Sequence, residues 1–285
     1  MSKNAYSPMR GFLRHFVRNR LALVGLGIVM GLVFVAIFAH FLAPRDPTLQ
    51  SLPDKRAKPG GRFILGADEF GRDILSRLIY GTRAALLVGT VSIAIALFFG
   101  IILGTTSGYF SGVVDNLIMR TIDILLAFPY LLLAIAVVSA IGPGVLNTTI
   151  AVGIWATPGF ARIVRASVIT IREADYVLAA KAVGASDFRI IFNHVLPNFI
   201  SPVIVYATLY MANAILVEAA LSFLGLGVQP PTPSWGLMVS SGRDFLLTAP
   251  HISTLPGIAI MITVLGFNLL GDGLRDSLDP KLRNL

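Results

Sequence analysis

The sequence predicts an all-α, polytopic membrane protein with six transmembrane helices, and three observations carry that prediction. Hydrophobic residues make up 55% of the 285 and charged residues only 13%, whereas about a quarter of an ordinary soluble domain is charged. Residues 21–43, 84–114, 124–161, 195–217 and 245–270 contain no Lys, Arg, Asp or Glu. The longest of these blocks is divided by Gly142-Pro143-Gly144, a run that ends a helix and turns the chain. About 20 helical residues at 1.5 Å each cross a hydrocarbon core of about 30 Å, so six spans are expected near 21–43, 84–107, 122–141, 145–164, 199–221 and 253–272.

The first block has 23 residues, too long for a signal-peptide core of about 7–15, and is expected to stay as an anchor. Ahead of it, residues 1–20 form a basic tail. Arg10, Arg14 and Arg18 recur every four residues beside an apolar set of Phe12, Leu13, Phe16 and Val17, which suits an interfacial helix on anionic lipid. The net charge of +8 does not point to nucleic acid, because the basic residues lie between apolar blocks and form no soluble basic domain with interleaved aromatics. Membrane lipid is the expected partner of that charge.

In the second span Gly100, Gly104, Gly108 and Gly112 recur on one helix face, and Gly27 and Gly31 repeat the spacing once in the first. Small residues so placed let another helix approach closely, either within the subunit or from a second membrane subunit. An even number of spans puts both termini on one side. With the N-terminus cytoplasmic, 14 of the 23 Lys and Arg residues fall inside, as the positive-inside rule asks. Eight of the others lie in the 45–83 loop, accompanied by Asp46, Asp54, Asp68, Glu69 and Asp73.

Nothing in the chain suggests an enzyme or a bound cofactor. There is no phosphate loop and no Gly followed by Lys, no His-Glu-x-x-His and no Gly-x-Ser-x-Gly. Cysteine is absent, and His15, His40, His194 and His251 are too scattered to read as metal ligands. Any ATP would bind another chain.

The connection at 165–197 is longer than a turn between spans requires. Tyr176, Ala179, Ala180, Val183 and Gly184 fall at helical spacing on one shallow apolar face. Gly184 can end that helix with Lys181 in its last turn, and Ser186 can cap a second short helix running to Pro197. Such a pair could enter a groove on another protein, or lie on the lipid surface.

Ala179-Ala180, Gly184 and Leu196-Pro197 resemble the "EAA" loop of bacterial ABC-importer permeases, with Leu178 where Glu is usual and His194 where Ile is usual. Other segments are similar to the dipeptide, oligopeptide and nickel branch of that family from end to end. These are 65–73 with Ser76-Arg77 and Tyr80-Gly81, though Ala67 stands where Thr is common; 222–227 with Pro230-Pro231 and Trp235-Gly236; and 267–276 with Leu278-Asp279-Pro280. The resemblance is closest to the shorter of the two paired permeases.

It implies a type I importer fold, with Tyr176, Ala179, Ala180, Lys181, Val183, Gly184, Ala185 and Asp187 in a helix that docks on the ATPase. The implied partners are a second, homologous permease, two ATP-binding subunits or one as a homodimer, and an extracytoplasmic solute-binding protein, in a bacterial inner membrane with both termini cytoplasmic. Residues 44–83 would be an extracytoplasmic loop whose last part is a surface helix, 84–272 the five-helix core, and 273–285 a cytoplasmic tail. Di- or oligopeptides are the expected cargo, followed by glutathione, nickel chelates and oligosaccharides.

Ionisable groups in spans cost about 2.5–3.5 kcal/mol on insertion scales, which makes Glu218, with Asn213 nearby, the translocation-path candidates; a satisfied interhelical hydrogen bond is the other reading. Asp123 and Asp272, near the inner ends, are explained by snorkelling or capping and are not read as substrate ligands. A passive channel would need no docking loop, and an intramembrane hydrolase would need a Ser/His or paired-Asp constellation that is not apparent.

Overall fold

The computed structural model describes residues 16–278. The tail positions Arg10, Phe12, Leu13 and Arg14, and the Asp279-Pro280 ending, lie outside the described residues. Among the described residues the regular structure is helical, apart from two isolated bridges, Gly60 with Phe63 and Ala67 with Asp73.

The first spanning helix, α1 (Arg20–Ile37), starts where the Asn19 side chain accepts hydrogen bonds from the Leu21 and Ala22 N–H groups, both at 3.1 Å. That cap satisfies two donors the helix cannot. The helix ends before residue 43: it breaks at Phe38, and a four-residue α2 (Ala39–Leu42) follows. Arg83 donates to the Ala36 and Ile37 carbonyls at 2.6 and 3.1 Å, closing the exposed end of α1.

The second span is the 37-residue α3 (Ile74–Phe110), capped by Asp73, which accepts from the Ser76 N–H at 2.8 Å. The surface helix expected at the end of the 44–83 loop is the first part of α3, continuous with the span. No proline interrupts 74–83, and Gly81 leaves room for the Trp235 ring, which a Cβ would approach to 2.7 Å.

The third span departs from the straight 122–141 segment. It consists of α4 (Gly112–Ala127) and α5 (Tyr130–Ile141), bent by 96° at Phe128-Pro129. Pro129 pushes the residue before it out of the helical region, and Phe128 is extended, at φ −78° and ψ 137°. After the Gly142-Pro143-Gly144 turn comes α6 (Val145–Arg172), 28 residues long and least apolar of the spans because it carries Arg162 and Arg165.

The connection after α6 holds α7 (Asp175–Ala182) and α8 (Asp187–Ile190). The second short helix does not stop at Pro197. A π-helical turn at Ile191–Val195 joins it to α9 (Leu196–Phe223), so that 187–223 forms one 37-residue run. Proline lacks an N–H and crowds the carbonyl four residues back, and the wider π turn accommodates both defects. The chain then forms α10 (Trp235–Gly242) and α11 (His251–Leu278), the latter extending six residues past the expected end at 272.

The glycine row packs inside the subunit. A Cβ on Gly104 would lie 2.5 Å from the Ala161 carbonyl oxygen and 2.7 Å from Val164 Cβ, and one on Gly108 would lie 2.9 Å from the Arg165 carbonyl oxygen. The backbones of α3 and α6 therefore lie together without side chains between them. Gly112 is not part of that contact: it starts α4 at φ +61°, with open space around it. Gly27 and Gly31 also face open space, while Gly25 meets α11 at Gly266 and Leu270.

At the N-terminal end of α3, residues 43–73 fold around a buried charge cluster. Arg72 pairs with Asp68 at 2.6 Å and Glu69 at 3.1 Å, and Arg77 lies 3.3 Å from Asp68. The 65–77 motif is thus a fold-holding knot, in which losing one partner strands a buried charge at a cost of about 3–5 kcal/mol.

Candidate functional site

The connection at 173–196 joins the C-terminal end of α6 to α9. In α7 only Val177 is buried; Tyr176, Ala179, Lys181 and Val183 are exposed and Ala180 is half-buried against the core. Of the face built from 176, 179, 180, 183 and 184, Ala180 turns toward the core and the other four residues are exposed. Gly184 has φ +84°, a conformation that glycine adopts without penalty. Its N–H bonds the Lys181 carbonyl at 3.0 Å and the Ala185 N–H bonds the Ala180 carbonyl at 3.1 Å, the paired bonds of a Schellman ending. Ala185 is half-buried beside Ala180, and Ser186 caps α8 through a long 3.5 Å bond from the Arg189 N–H.

Of two protruding groups, sequence reasoning named Val183 and missed Phe188. Val183 is 85% exposed and Phe188 72%, and the Phe188 ring packs on Phe192 with centroids 4.3 Å apart. Their signal was present as large apolar residues in an otherwise polar connection, but the search for small residues at helical spacing passed over Phe188. Leu178 and Tyr176 extend the exposed apolar surface. His194, the other departure from the loop pattern, lies near Tyr176, with ring centroids 6.4 Å apart.

Polar tethers bind this region to the spans. Tyr109 donates to Asp187 at 2.6 Å. Arg172 donates to the Gly108 and Tyr109 carbonyls at 3.1 and 3.2 Å and to Ser111. Arg165 makes a two-pronged bond to Asp115, both contacts at 2.6 Å, and Ser107 donates to the same carboxylate. Forked arginine–carboxylate pairs hold direction as well as distance. The C-terminal ends of α3 and α6 and the start of α4 thus form one unit, to which α7 and α8 are attached.

Glu218 and Asn213 are placed differently from one another. Glu218 is 1% exposed and accepts from Ser222 at 2.8 Å and Ser234 at 2.9 Å. It is enclosed by its own chain and ties α9 to the segment entering α10, so the geometry favours the structural reading over a position on a path. Asn213 is exposed on the opposite side of α9, and the two candidates do not meet. Asp272, exposed in the last turns of α11, joins neither.

A family described as binding-protein-dependent transport system inner membrane component matches residues 96–284, and one described as the N-terminal TM domain of oligopeptide transport permease C matches residues 7–59. A di/tripeptide transport system permease protein of Pseudomonas aeruginosa is 49% identical, covering 98% of this chain and 94% of the relative. A dipeptide transport system permease protein of Alkalihalophilus pseudofirmus is 46% identical over 98% of this chain and 92% of its own length. A glutathione transport system permease protein of Pectobacterium atrosepticum is 42% identical over 99% and 94%. Among solved structures, an inward-facing MetNI methionine ABC transporter superposes with a TM-score of 0.58 at 16% identity, over 71% of this chain and 97% of that one.

Proposed function

This chain belongs to the family of binding-protein-dependent transport system inner membrane components and is a permease subunit of an ABC importer; from that premise we propose that its cargo is a di- or tripeptide. The observation that carries the substrate class is the near-full-length likeness, at 46–49% identity, to permeases named for dipeptides and for di/tripeptides. The glutathione permease stands at 42% and keeps that compound as the second candidate.

In the proposed assembly a second, homologous permease completes the path, two ATP-binding subunits attach at the inner side, and a solute-binding protein meets the outer face at 45–83 and 222–250. Both termini are cytoplasmic, which puts the long connection at 165–197 inside. The exposed surface of α7 and α8, with Tyr176, Ala179, Ala180, Lys181, Val183, Gly184, Ala185 and Asp187, enters the ATPase. Closure of the two ATPases on ATP moves that surface. The buried anchors Val177, Ile190 and Val195 and the Tyr109, Arg165 and Arg172 tethers carry the displacement into α3, α6 and α9.

The test is uptake by the complete importer in proteoliposomes loaded with ATP, using labelled dialanine and labelled glutathione. Dialanine uptake that needs both ATP and the binding protein supports the proposal. Uptake of glutathione alone would move the cargo to the second candidate, and uptake without ATP would favour a passive channel.

A further inference from the structure

One face of the bundle carries charged and aromatic groups along α6 and α9. On α6, Trp155, Gly159, Arg162 and Ala166 recur at spacings that share one side, and on α9 Tyr206, Tyr210 and Asn213 do the same. Rings join the two helices: Tyr130 meets Trp155 with centroids 5.7 Å apart, Trp155 stacks on Tyr210 at 5.6 Å, and Tyr210 meets Tyr206 at 4.3 Å. A Cβ on Gly159 would lie 2.6 Å from the Tyr206 hydroxyl and 2.8 Å from that of Tyr210. The two hydroxyls therefore converge over the α6 backbone, one turn outward of Arg162.

Arg162 pairs with Asp123 at 2.6 Å, and the two side chains remain 57% and 61% exposed. The pair replaces the snorkelling expected for Asp123. Arg162 lies near the inner end of the expected 145–164 span, and α6 runs ten residues further, to Arg172. An open ionic pair there faces protein or water rather than acyl chains. On the inner side lies a mostly apolar cavity of about 750 Å³, in whose lining Asn198, Ser201, Tyr206 and Arg275 supply the polar groups.

We propose that Arg162 and Asp123 form a substrate contact on the translocation path, where the pair opens to take the carboxylate of a small zwitterionic peptide on Arg162 and its ammonium on Asp123. The aromatic row from Tyr130 to Tyr206 then holds the peptide's backbone and side chains. The charges match: one ion pair becomes two, and no charge is left unpaired while substrate passes. An extended dipeptide spans about 7 Å, a gap that two exposed side chains can open by rotation. The ligand class rests on the peptide reading; the location of the path does not.

The experiment uses the complete importer and has two arms. In the first, Arg162→Cys and Asp123→Cys are made in this cysteine-free chain and treated from the cytoplasmic side with a charged methanethiosulfonate, which needs a water-exposed thiolate. Reaction in the nucleotide-free complex is expected. Reaction only after denaturation would overturn the location. In the second, dialanine uptake per ATP hydrolysed is measured for Arg162→Gln, Asp123→Asn and the double variant.

Each single change is expected to lower that ratio by about tenfold, the scale of one lost charge-assisted contact. The double variant leaves no charge unpaired, so a merely structural pair would recover in it. A ratio that stays low supports the substrate contact, and restoration to the wild-type ratio would overturn it. A wild-type complex that imports no dialanine would remove the peptide reading and the zwitterion contact together, with the labelling arm still deciding whether the pair faces the path.

Discussion

Tyr109, one residue from the inner end of α3, donates a 2.6 Å hydrogen bond to Asp187, the first residue of α8. A bond spanning 78 residues joins the second span directly to the proposed ATPase-docking surface. Tyr109→Phe keeps the ring and removes the donor, and a bond to a charged acceptor contributes about 1.5–3 kcal/mol. Binding-protein-stimulated ATP hydrolysis is expected to fall severalfold, with the assembled complex intact. Asp187→Asn retains an acceptor and should lose less. Equal stimulation in Tyr109→Phe and wild type would remove the tether from the coupling route.

Glu218 supplies a contrasting prediction, because its carboxylate is an internal fastener for Ser222 and Ser234. Glu218→Gln preserves an acceptor oxygen and should keep dialanine uptake within about twofold. Glu218→Ala leaves two buried hydroxyls without their acceptor, at about 1–3 kcal/mol for each unsatisfied group, and should lower the melting temperature of the complex. A Gln variant that assembles with wild-type stability yet transports nothing would return Glu218 to the path.

The row of glycines predicts a graded steric series. Gly104→Ala places a methyl against the Ala161 carbonyl and Val164, and overpacking of this kind costs about 1–3 kcal/mol. Gly104→Leu should abolish assembly, because backbone cannot yield as a side-chain tip can. Gly27→Ala meets nothing within 4 Å in this chain and should leave the folded subunit's yield unchanged. Detergent-extracted yield and thermal unfolding measure both, and a stable Gly104→Leu protein would contradict the α3–α6 contact.

Features that depend on one residue's backbone chemistry were legible in the sequence. The Gly184 ending and the Gly142-Pro143-Gly144 turn required only that glycine adopt positive φ and that proline cannot continue a helix. The bend at Pro129 was equally visible, yet hydropathy runs unbroken through it, and span length outweighed the proline. The buried role of Glu218 was half legible: Ser222 lies one turn on, but Ser234 arrives from a separate segment that no periodicity connects to it. Arg162 with Asp123 was not legible, because pairing across α4 and α6 depends on how the bent third span returns to the fourth. The continuity of α8 with α9 was hidden for the opposite reason, since a proline that ordinarily ends a helix is absorbed by the π turn at Ile191–Val195.

Orientation yields a prediction that needs no transport assay. In the proposed topology Lys58 belongs to the outer loop and Asp187 to the inner connection, and both are exposed. With Lys58→Cys and Asp187→Cys as single thiols, an impermeant maleimide applied to spheroplasts should label position 58 only. Inverted vesicles should give the reverse. Labelling of position 187 from outside would overturn cytoplasmic termini and, with them, an ATPase at this loop.

The docking surface itself gives the final prediction. Val183 and Phe188 protrude on either side of the Gly184 turn, and neither packs fully against its own chain, so their substitution should spare the fold while altering what docks there. Phe188→Ala removes a large apolar group, which at an interface centre typically costs 2 kcal/mol or more, roughly thirtyfold in affinity. Val183→Arg adds a charge that docking would bury without a partner. Gly184→Ala acts differently: the space around it is open, so the penalty is the left-handed backbone, about 1–2 kcal/mol, and it should loosen the turn without blocking the groove. Lys181→Ala tests charge loss at a neighbouring exposed position. ATPase co-purification is expected to fall in the order wild type, Lys181→Ala, Gly184→Ala, then Phe188→Ala and Val183→Arg, while pairing with the second permease persists in all. If Val183→Arg and Phe188→Ala retain the ATPase at wild-type levels, the motor attaches elsewhere, and α7 and α8 lie on the membrane surface as an amphipathic loop.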